Sequence, residues 1–352
     1  MVFKKKHSKK MLMAVYNPIE FDGRVKRSSE CLTNFFDLEV ICLKAENREN
    51  NNSKYKISRV NQNIAFGRIS KQFLFWFHLL IKAIKVKPHF LYAHDFFMAF
   101  PCLIAARIIG AKLIYDSHEL IVPEEGVVFS FRSKLFYLLE KYSIKRSDLV
   151  IAANKERAEI MQRHYHLSTL PCYIRNFVDS SVNNLSNKEV LNLYPMLKKK
   201  QKTDIHVVYM GDINFDRGLG LFMDIDKFLP ENYIFLFVGN GPDKNILKRK
   251  ADINNSFRII GQVNHEHVQD VIRQADIGIV TYPSAGLNNV FCSSNKVYEY
   301  AHAGLPMIST CQPPLEKMFI KYKLGKLIGC AGIPSPEKTA QTIIELASVY
   351  KR

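Results

Sequence analysis

The sequence predicts an α/β protein of two Rossmann-like, doubly wound parallel-sheet domains facing a cleft. Three observations predict it. The 352 residues suffice for two ordinary domains, each with its own core. Short apolar runs alternate with helical patterns along most of the chain, the rhythm of parallel strands with helices on both faces. A polar stretch at 179–203, rich in Asn, Ser and Lys, interrupts that rhythm near the middle, after which it starts again.

In the first domain, 1–178, strands are expected at 11–16, 38–43, 89–93, 112–116 and 148–152. Helical patterns lie between and after them at 24–36, 70–86, 97–109, 132–146 and 154–165. The 179–203 stretch carries Lys198-Lys199-Lys200 and reads as an inter-domain linker with some helical character. In the second domain, 204–352, strands are expected at 205–210, 233–238, 257–260, 276–280 and 306–309. Its helices are expected at 218–228, 242–251, 265–274, 294–303 and 335–350. Ligands of such sheets bind at strand C-termini, here expected to face the cleft.

Hydrophobic residues make up 47% and charged residues 24% of the chain, a globular balance. A net charge of +17 calls for an anionic partner: nucleotide phosphates, an acidic membrane surface or nucleic acid. The charge is dispersed and no DNA- or RNA-binding motif occurs, so nucleic acid is the weakest of the three. Seven cysteines (Cys31, Cys42, Cys102, Cys172, Cys292, Cys311, Cys330) form no CxxC pair and have no zinc spacing. That points to a reducing, cytoplasmic compartment. The basic run at 4–10 leads straight into a strand-length segment, so no secretory leader is expected. The most apolar stretch, 96–110, is interrupted by Pro101 and Arg107 and falls short of the about 20 residues that span a bilayer. Arg132, Lys134, Lys141, Lys145 and Arg146 lie on or beside an amphipathic pattern with Leu135, Phe136, Leu138 and Leu139. Near an anionic leaflet each cation could contribute about 1 kcal/mol, a marginal and salt-sensitive attraction. A solvated helix face explains the same residues equally well.

The strongest local signal runs from Ser293-Ser294-Asn295-Lys296 through Glu299 to Gly304-Leu305-Pro306. A serine cap should open a helix here and the Gly-Leu-Pro should close it. Free amides at a helix start make an anion site. Lys296 would stand in the first turn, where the helix dipole opposes a cation and a bound phosphate would offset that. Glu299, one turn on from Asn295 and Lys296, could hold vicinal ribose hydroxyls. An ordinary capped helix with a Lys–Glu pair fits the same pattern.

Arg217, in Gly211-Asp212-Ile213-Asn214-Phe215-Asp216-Arg217-Gly218, is likewise expected beside a helix start, with a fork matched to phosphate oxygens. The alternative is a solvated arginine paired with Asp216. Val238-Gly239-Asn240-Gly241-Pro242 could let a ligand approach the backbone, or could be a plain strand–helix turn. Gly23, after the first strand, could let backbone amides face a diphosphate, or could simply open a helix. His118, in Ile114-Tyr115-Asp116-Ser117-His118-Glu119, stands at a strand end, where it could bond a sugar hydroxyl or assist proton movement. Asp116 or Glu119 could orient it, and a structural histidine is the alternative. His94-Asp95 reads as a core-edge histidine followed by a helix cap. Asp224-Ile225-Asp226 mimics a metal triplet, but i and i+2 do not share a helix face, so no metal is expected there.

In order and spacing these segments resemble family 4 glycosyltransferases. Residues 89–119 resemble that family's acceptor-domain signature, and 207–218, 234–242 and 257–306 resemble its donor domain. The resemblance covers nearly the whole chain. It implies the GT-B fold, retention of anomeric configuration, no required metal and no cofactor. It implies a nucleotide-diphosphate sugar as donor, held mainly by the C-terminal domain, and a glycan or lipid-linked acceptor. Position by position, it places Arg217 on the diphosphate, Glu299 on the ribose and Val263 at the base. It places His118 toward the transferred sugar and Gly23 near the phosphates. Two departures stand out: Phe291 where the family usually has a glutamate, a loss shared by the Ser-Asn-Lys subgroup, and Asp212 where it usually has a basic residue. Asn288, Asn289 or Lys296 would then substitute.

On that reading Arg217, Lys296 and two helix starts stabilise the leaving diphosphate. The acceptor attacks from the same face, and no carboxylate nucleophile is required. The resemblance implies surface-polysaccharide assembly on the cytoplasmic face of a bacterial inner membrane. The alternatives are a sugar-nucleotide epimerase of the same fold and a non-catalytic nucleotide-sugar-binding homologue.

Overall fold

The computed structural model describes residues 9–45, 53–61, 67–124, 130–178, 185–198, 200–330 and 334–350. Residues 4–8 of the basic run, and 179–184 and Lys199 of the polar stretch, lie outside the described residues. The chain divides into two units, Met1–Arg175 and Asn176–Arg352.

The first unit runs β1 (Lys10–Ala14), α1 (Gly23–Leu32), β2 (Asp37–Leu43), β3 (Lys56–Val60), α2 (Arg68–Val86), β4 (Phe90–His94), α3 (Phe96–Ile109), β5 (Lys112–Ser117), α4 (Phe131–Ile144), β6 (Leu149–Ala152), α5 (Lys155–Tyr165) and β7 (Cys172–Tyr173). Its strands pair in parallel in the order β3-β2-β1-β4-β5-β6-β7. The order reverses between β1 and β4, the switch point beside which open α/β sheets hold ligands. Met11 through Ala14 of β1 are all buried, as a central strand covered on both faces requires. Two strands go beyond the sequence expectation. β3 is an edge strand with Lys56, Ser58 and Arg59 among its five residues, and β7 has two residues. Neither presents an apolar run.

The second unit runs α6 (Asn187–Leu193), β8 (Ile205–Met210), β9 (Tyr233–Val238), α7 (Lys244–Ile253), β10 (Phe257–Gly261), α8 (Val268–Ile272), β11 (Ile277–Val280), α9 (Leu287–Val290), α10 (Asn295–His302), β12 (Met307–Thr310), α11 (Pro313–Tyr322), β13 (Gly325–Ile328) and α12 (Pro336–Val349). Its parallel order is β10-β9-β8-β11-β12-β13, with the reversal between β8 and β11. Val190 of α6 and Leu197 are buried in this unit's core. The expected helix at 218–228 is absent. Short 3-10 turns at Phe215–Arg217, Leu219–Phe222 and Ile225–Phe228 replace it. Gly218 adopts φ +85, a left-handed geometry that ends the first turn instead of opening a helix. The expected helix at 265–274 contracts to a 3-10 turn followed by the five-residue α8.

Cys311 and Cys330, just past the ends of β12 and β13, form a disulfide. The sequence separation of 19 hides this pair from a search for short cysteine motifs, and the bridge removes the cysteine argument for a reducing compartment. Among the described residues no helix is long and apolar enough to cross a membrane.

Candidate functional site

In the first unit, the C-terminal ends of β4 and β5 and the start of α1 assemble a buried polar cluster. Asp116, next to last in β5, is 1% exposed, and Arg24 from the first turn of α1 clamps it. Arg24 Nη2 donates to Oδ1 at 2.6 Å and Nε to Oδ2 at 3.0 Å, while Nη1 donates to the Ile174 carbonyl at 2.7 Å. The Tyr92 hydroxyl donates to Asp116 Oδ2 at 3.0 Å. Burial works to raise the Asp116 carboxyl, but Arg24 first and then the neighbouring histidines outweigh it and hold it below the ordinary range. Removing one partner of such a buried pair costs about 3–5 kcal/mol, because the other charge is left uncompensated.

His118 follows β5, and its ring meets His94 from the end of β4, with His94 Nδ1 and His118 Nε2 3.0 Å apart. Two backbone contacts fix its loop: Arg157 donates to the His118 carbonyl at 2.5 Å, and the Ser117 hydroxyl donates to the Glu119 carbonyl at 2.7 Å. The nearest Asp116 oxygen lies 3.9 Å from His118 Nε2, so His94 is the group that hydrogen-bonds the ring. Burial lowers the His118 imidazole and pushes the His94 imidazole down to about 3. His94 is therefore a fully buried partner of His118, not a core-edge residue. The expected helix cap at Asp95 is corrected too. Asp95 occupies the N-cap position of α3 at φ +64, but its side chain makes no standard cap bond to that helix. Gly23 is the first residue of α1, and there Asp22 Oδ1 accepts the Val25 amide at 3.1 Å. A carboxylate thus already occupies part of the helix start at which phosphate-facing amides were expected. Asp22 Oδ2 is 3.9 Å from His118 Nδ1, so the α1 start and His118 share one place.

Ligand-capable atoms of His94, Asp116 and His118 lie within 4.8 Å of one another. The donor set argues against a cation there. Arg24 already balances Asp116, and the two histidine nitrogens are committed to each other.

In the second unit Arg217 and Lys296 lie near the C-terminal ends of β8 and β11. Arg217 closes the Phe215–Arg217 turn that Asn214 caps by accepting the Asp216 amide at 2.9 Å. Its partner is Asp212, Oδ2 3.4 Å from Nε, rather than Asp216. Gly218 lies against Thr281 at the end of β11, where an added Cβ would come 3.3 Å from the Thr281 side chain. Lys296, second residue of α10, puts Nζ 4.5 Å from the Tyr209 ring centre and 5.5 Å from that of Tyr282, and donates to the Tyr209 hydroxyl at 3.5 Å. Burial, then the positive charge of Arg217, pushes the Lys296 ammonium down to about 8, against the pull of Glu299. Arg217, Lys296 and Glu299 are therefore electrostatically coupled.

Packing fixes the position of α10. The Tyr300 hydroxyl accepts the Met210 amide at 3.0 Å and donates to the Val208 carbonyl at 3.2 Å. Gly278 makes room for that ring, since a Cβ there would fall 2.4 Å from it. Ser294 stands at the N-cap of α10 but makes no side-chain cap bond, contrary to expectation, and its Oγ is buried without a partner among the described residues. Gly304, at φ +69, follows the helix end as expected. Asn295 is exposed in the first turn and Glu299 is half-buried. Val263, half-buried, lies two residues past β10 and packs on the core. Asn288 and Asn289 lie in the four-residue α9, where Asn289 donates to the Ala285 carbonyl at 3.0 Å, and Phe291 follows as its C-cap. The glycines of 238–242 let the backbone of the 211–213 loop come close. A Cβ at Gly239 would fall 1.9 Å from the Gly211 carbonyl oxygen, and one at Gly241 2.3 Å from that of Ile213.

Two family models match in chain order: Glycosyltransferase Family 4 over residues 25–182, and Glycosyl transferases group 1 over 193–348. Each half of the chain thus matches a glycosyltransferase family, the first half Glycosyltransferase Family 4. The chain is 26% identical over 198 residues to an uncharacterized glycosyltransferase of Methanocaldococcus jannaschii, a match covering 51% of this chain and 49% of the relative. It is also 26% identical over 178 residues to the 2-deoxystreptamine N-acetyl-D-glucosaminyltransferase of Niallia circulans, covering 49% of this chain and 44% of the relative. The chain thus spans about half the length of the curated relatives it matches. Among solved structures, Anabaena HepE in complex with UDP and glucose aligns at TM-score 0.71 and 14% identity, over 97% of this chain and 90% of that one. WaaG, a glycosyltransferase involved in lipopolysaccharide biosynthesis, aligns at TM-score 0.70 and 13% identity, over 96% and 90%. At these identities the likeness shows the two-domain GT-B fold.

Proposed function

We propose that this glycosyltransferase moves a hexosyl group from a nucleoside-diphosphate sugar to a glycan or lipid-linked acceptor, with retention and without a metal or cofactor. The observation that carries the reading is the pair of coupled cations, Arg217 and Lys296, at the strand ends of the second sheet. Lys296 is held in a setting that disfavours its charge, and a diphosphate is the ligand that would restore it. As the glycosidic bond to the diphosphate breaks, both cations would face the growing negative charge. Asn295 and the α10 amides would add donors, Glu299 would take the ribose, Val263 would meet the base, and Asn288 and Asn289 would contact the sugar. His118 and the Gly23 turn complete the proposal on the first sheet. HepE has been solved with UDP and with UDP-glucose, which makes uracil the first base to try.

A lipid-linked acceptor suits the surface of the first unit. Phe131, Leu135, Leu138 and Tyr142 of α4, and Phe73 and Phe77 of α2, are exposed. Arg132, Lys134 and Lys141 belong to α4, and Arg146 lies two residues past its end. Apolar side chains edged by cations fit the cytoplasmic face of an anionic membrane, and surface-polysaccharide assembly is the setting we propose. A thermal-shift panel of nucleoside diphosphates tests the donor. The true base should raise Tm, since a ligand at a hundred times Kd stabilises by about 2.7 kcal/mol. A panel in which no diphosphate shifts Tm overturns the donor reading.

A further inference from the structure

We infer that His94 holds His118 in the tautomer with its proton on Nδ1, so that His118 meets a ligand as a hydrogen-bond donor and not as a base. The consequence for transfer rests on the proposed place of His118 beside the donor sugar. The tautomer itself does not.

The two ring nitrogens of His94 differ in their surroundings. Nε2 is buried and has no hydrogen-bond partner among the described residues. Nδ1 faces His118 Nε2 at 3.0 Å. A neutral imidazole carries one proton. With that proton on Nε2, the protein would bury a donor with no acceptor, the costlier of the two defects. With it on Nδ1, the proton is donated to His118 Nε2, and only the single lone pair of Nε2 is left without a partner. His94 is neutral at ordinary pH because burial pushes it down to about 3. The geometry then determines the second ring. His118 Nε2 accepts, so in neutral His118 the proton must sit on Nδ1. That nitrogen points toward the start of α1, where the nearest carboxylate oxygen, Asp22 Oδ2, lies 3.9 Å away. The distance exceeds a hydrogen bond, so the N–H keeps its capacity for a ligand oxygen.

His118 therefore has no lone pair to offer on that side. It can hold a sugar oxygen, but it cannot take the acceptor's proton. In the proposed transfer that proton leaves with the departing phosphate oxygen, which gains the electron pair of the broken glycosidic bond. His94 is a positioning residue: it touches no substrate and acts only by fixing the proton on its neighbour.

The test uses the full chain labelled with ¹⁵N-histidine, without donor, in long-range ¹H–¹⁵N correlation spectra near neutral pH. The variants His94→Phe and His118→Gln each delete one ring and assign the signals. Both rings are expected neutral with the proton on Nδ1. In His94→Phe, His118 is expected to revert to the mixture dominated by Nε2–H that a free imidazole shows. A wild-type His118 protonated on Nε2, or on both nitrogens, overturns the inference without any assay. Transfer kinetics give an independent readout. Glutamine offers an N–H but no base, so His118→Gln is expected to keep transfer within about tenfold of wild type while His118→Ala falls further. Losses of about 10²–10⁴ that are equal in both variants would mark a base and also overturn it. A protein that transfers no sugar at all refutes the glycosyltransfer reading and leaves the spectra to decide the tautomer.

Discussion

At Lys296 the charge is conditional. Burial and Arg217 bring its ammonium down to about 8, so the free protein loses that charge as pH rises through the mildly alkaline range. A nucleoside diphosphate is already fully ionised there, its last pKa being near 6. Its binding should therefore weaken above pH 8, by up to about tenfold per unit, while the complex still holds the lysine protonated. Titration calorimetry from pH 6.5 to 9.5 measures this, and Lys296→Met should flatten the profile. Lys296 was expected in the first turn of a helix and stands there, whereas Arg217, expected beside a helix start, closes a 3-10 turn instead. Arg24, Tyr92 and His94 were not legible. Each looks like an ordinary helix or strand residue until the sheet order brings β4, β5 and the start of α1 to one edge. The signal that existed was positional: Tyr92, His94 and Asp116 all stand in the last residues of neighbouring strands.

Among the elements, α4, β5 and α5 share one carboxyl. Glu140 of α4 is 1% exposed and accepts the Tyr115 hydroxyl at 2.5 Å and the Tyr165 hydroxyl at 2.6 Å. Burial raises its carboxyl from 4.5 to about 7 even against those two bonds. The folded state binds this proton more tightly than the unfolded chain does. The contribution to stability is thus complete below about pH 4.5 and is lost as pH rises to about 7, on the order of 3 kcal/mol in all. Glu140→Gln keeps the hydrogen bonds without the titration. Urea midpoints measured from pH 5 to 7.5 should lose that part of their slope. An unchanged slope would remove Glu140 as the cause. Most of the strands and long helices were legible as alternating apolar runs and helical patterns. The 218–228 segment was not: its apolar spacing suits a helix, but the chain forms successive 3-10 turns there. β3 and β13 were hidden for a different reason: edge strands need not be apolar.

For the molecule as a whole, the duplicated β-α rhythm announced two doubly wound sheets, and the sheets have that form. The disulfide and the buried His94–His118 pair depend on contacts far apart in the chain, and no local pattern carried them. The net charge of +17 was legible at once, but not its use. If the exposed aromatic residues and cations of α2 and α4 serve a membrane, the protein should sediment with acidic vesicles at low salt, release as salt rises, and ignore neutral vesicles. Equal sedimentation with neutral vesicles, or none with acidic ones at low salt, would reject that use. The central claim is that Arg217 and Lys296 together hold the donor diphosphate. Its most direct measurement is calorimetric titration of the wild type and of the folded Arg217→Ala/Lys296→Ala variant with the nucleoside diphosphate that the thermal panel selects, at fixed salt. Each lost charge-assisted bond of about 1.5–3 kcal/mol should weaken binding by about tenfold to a hundredfold. An unchanged Kd in the double variant would contradict the account.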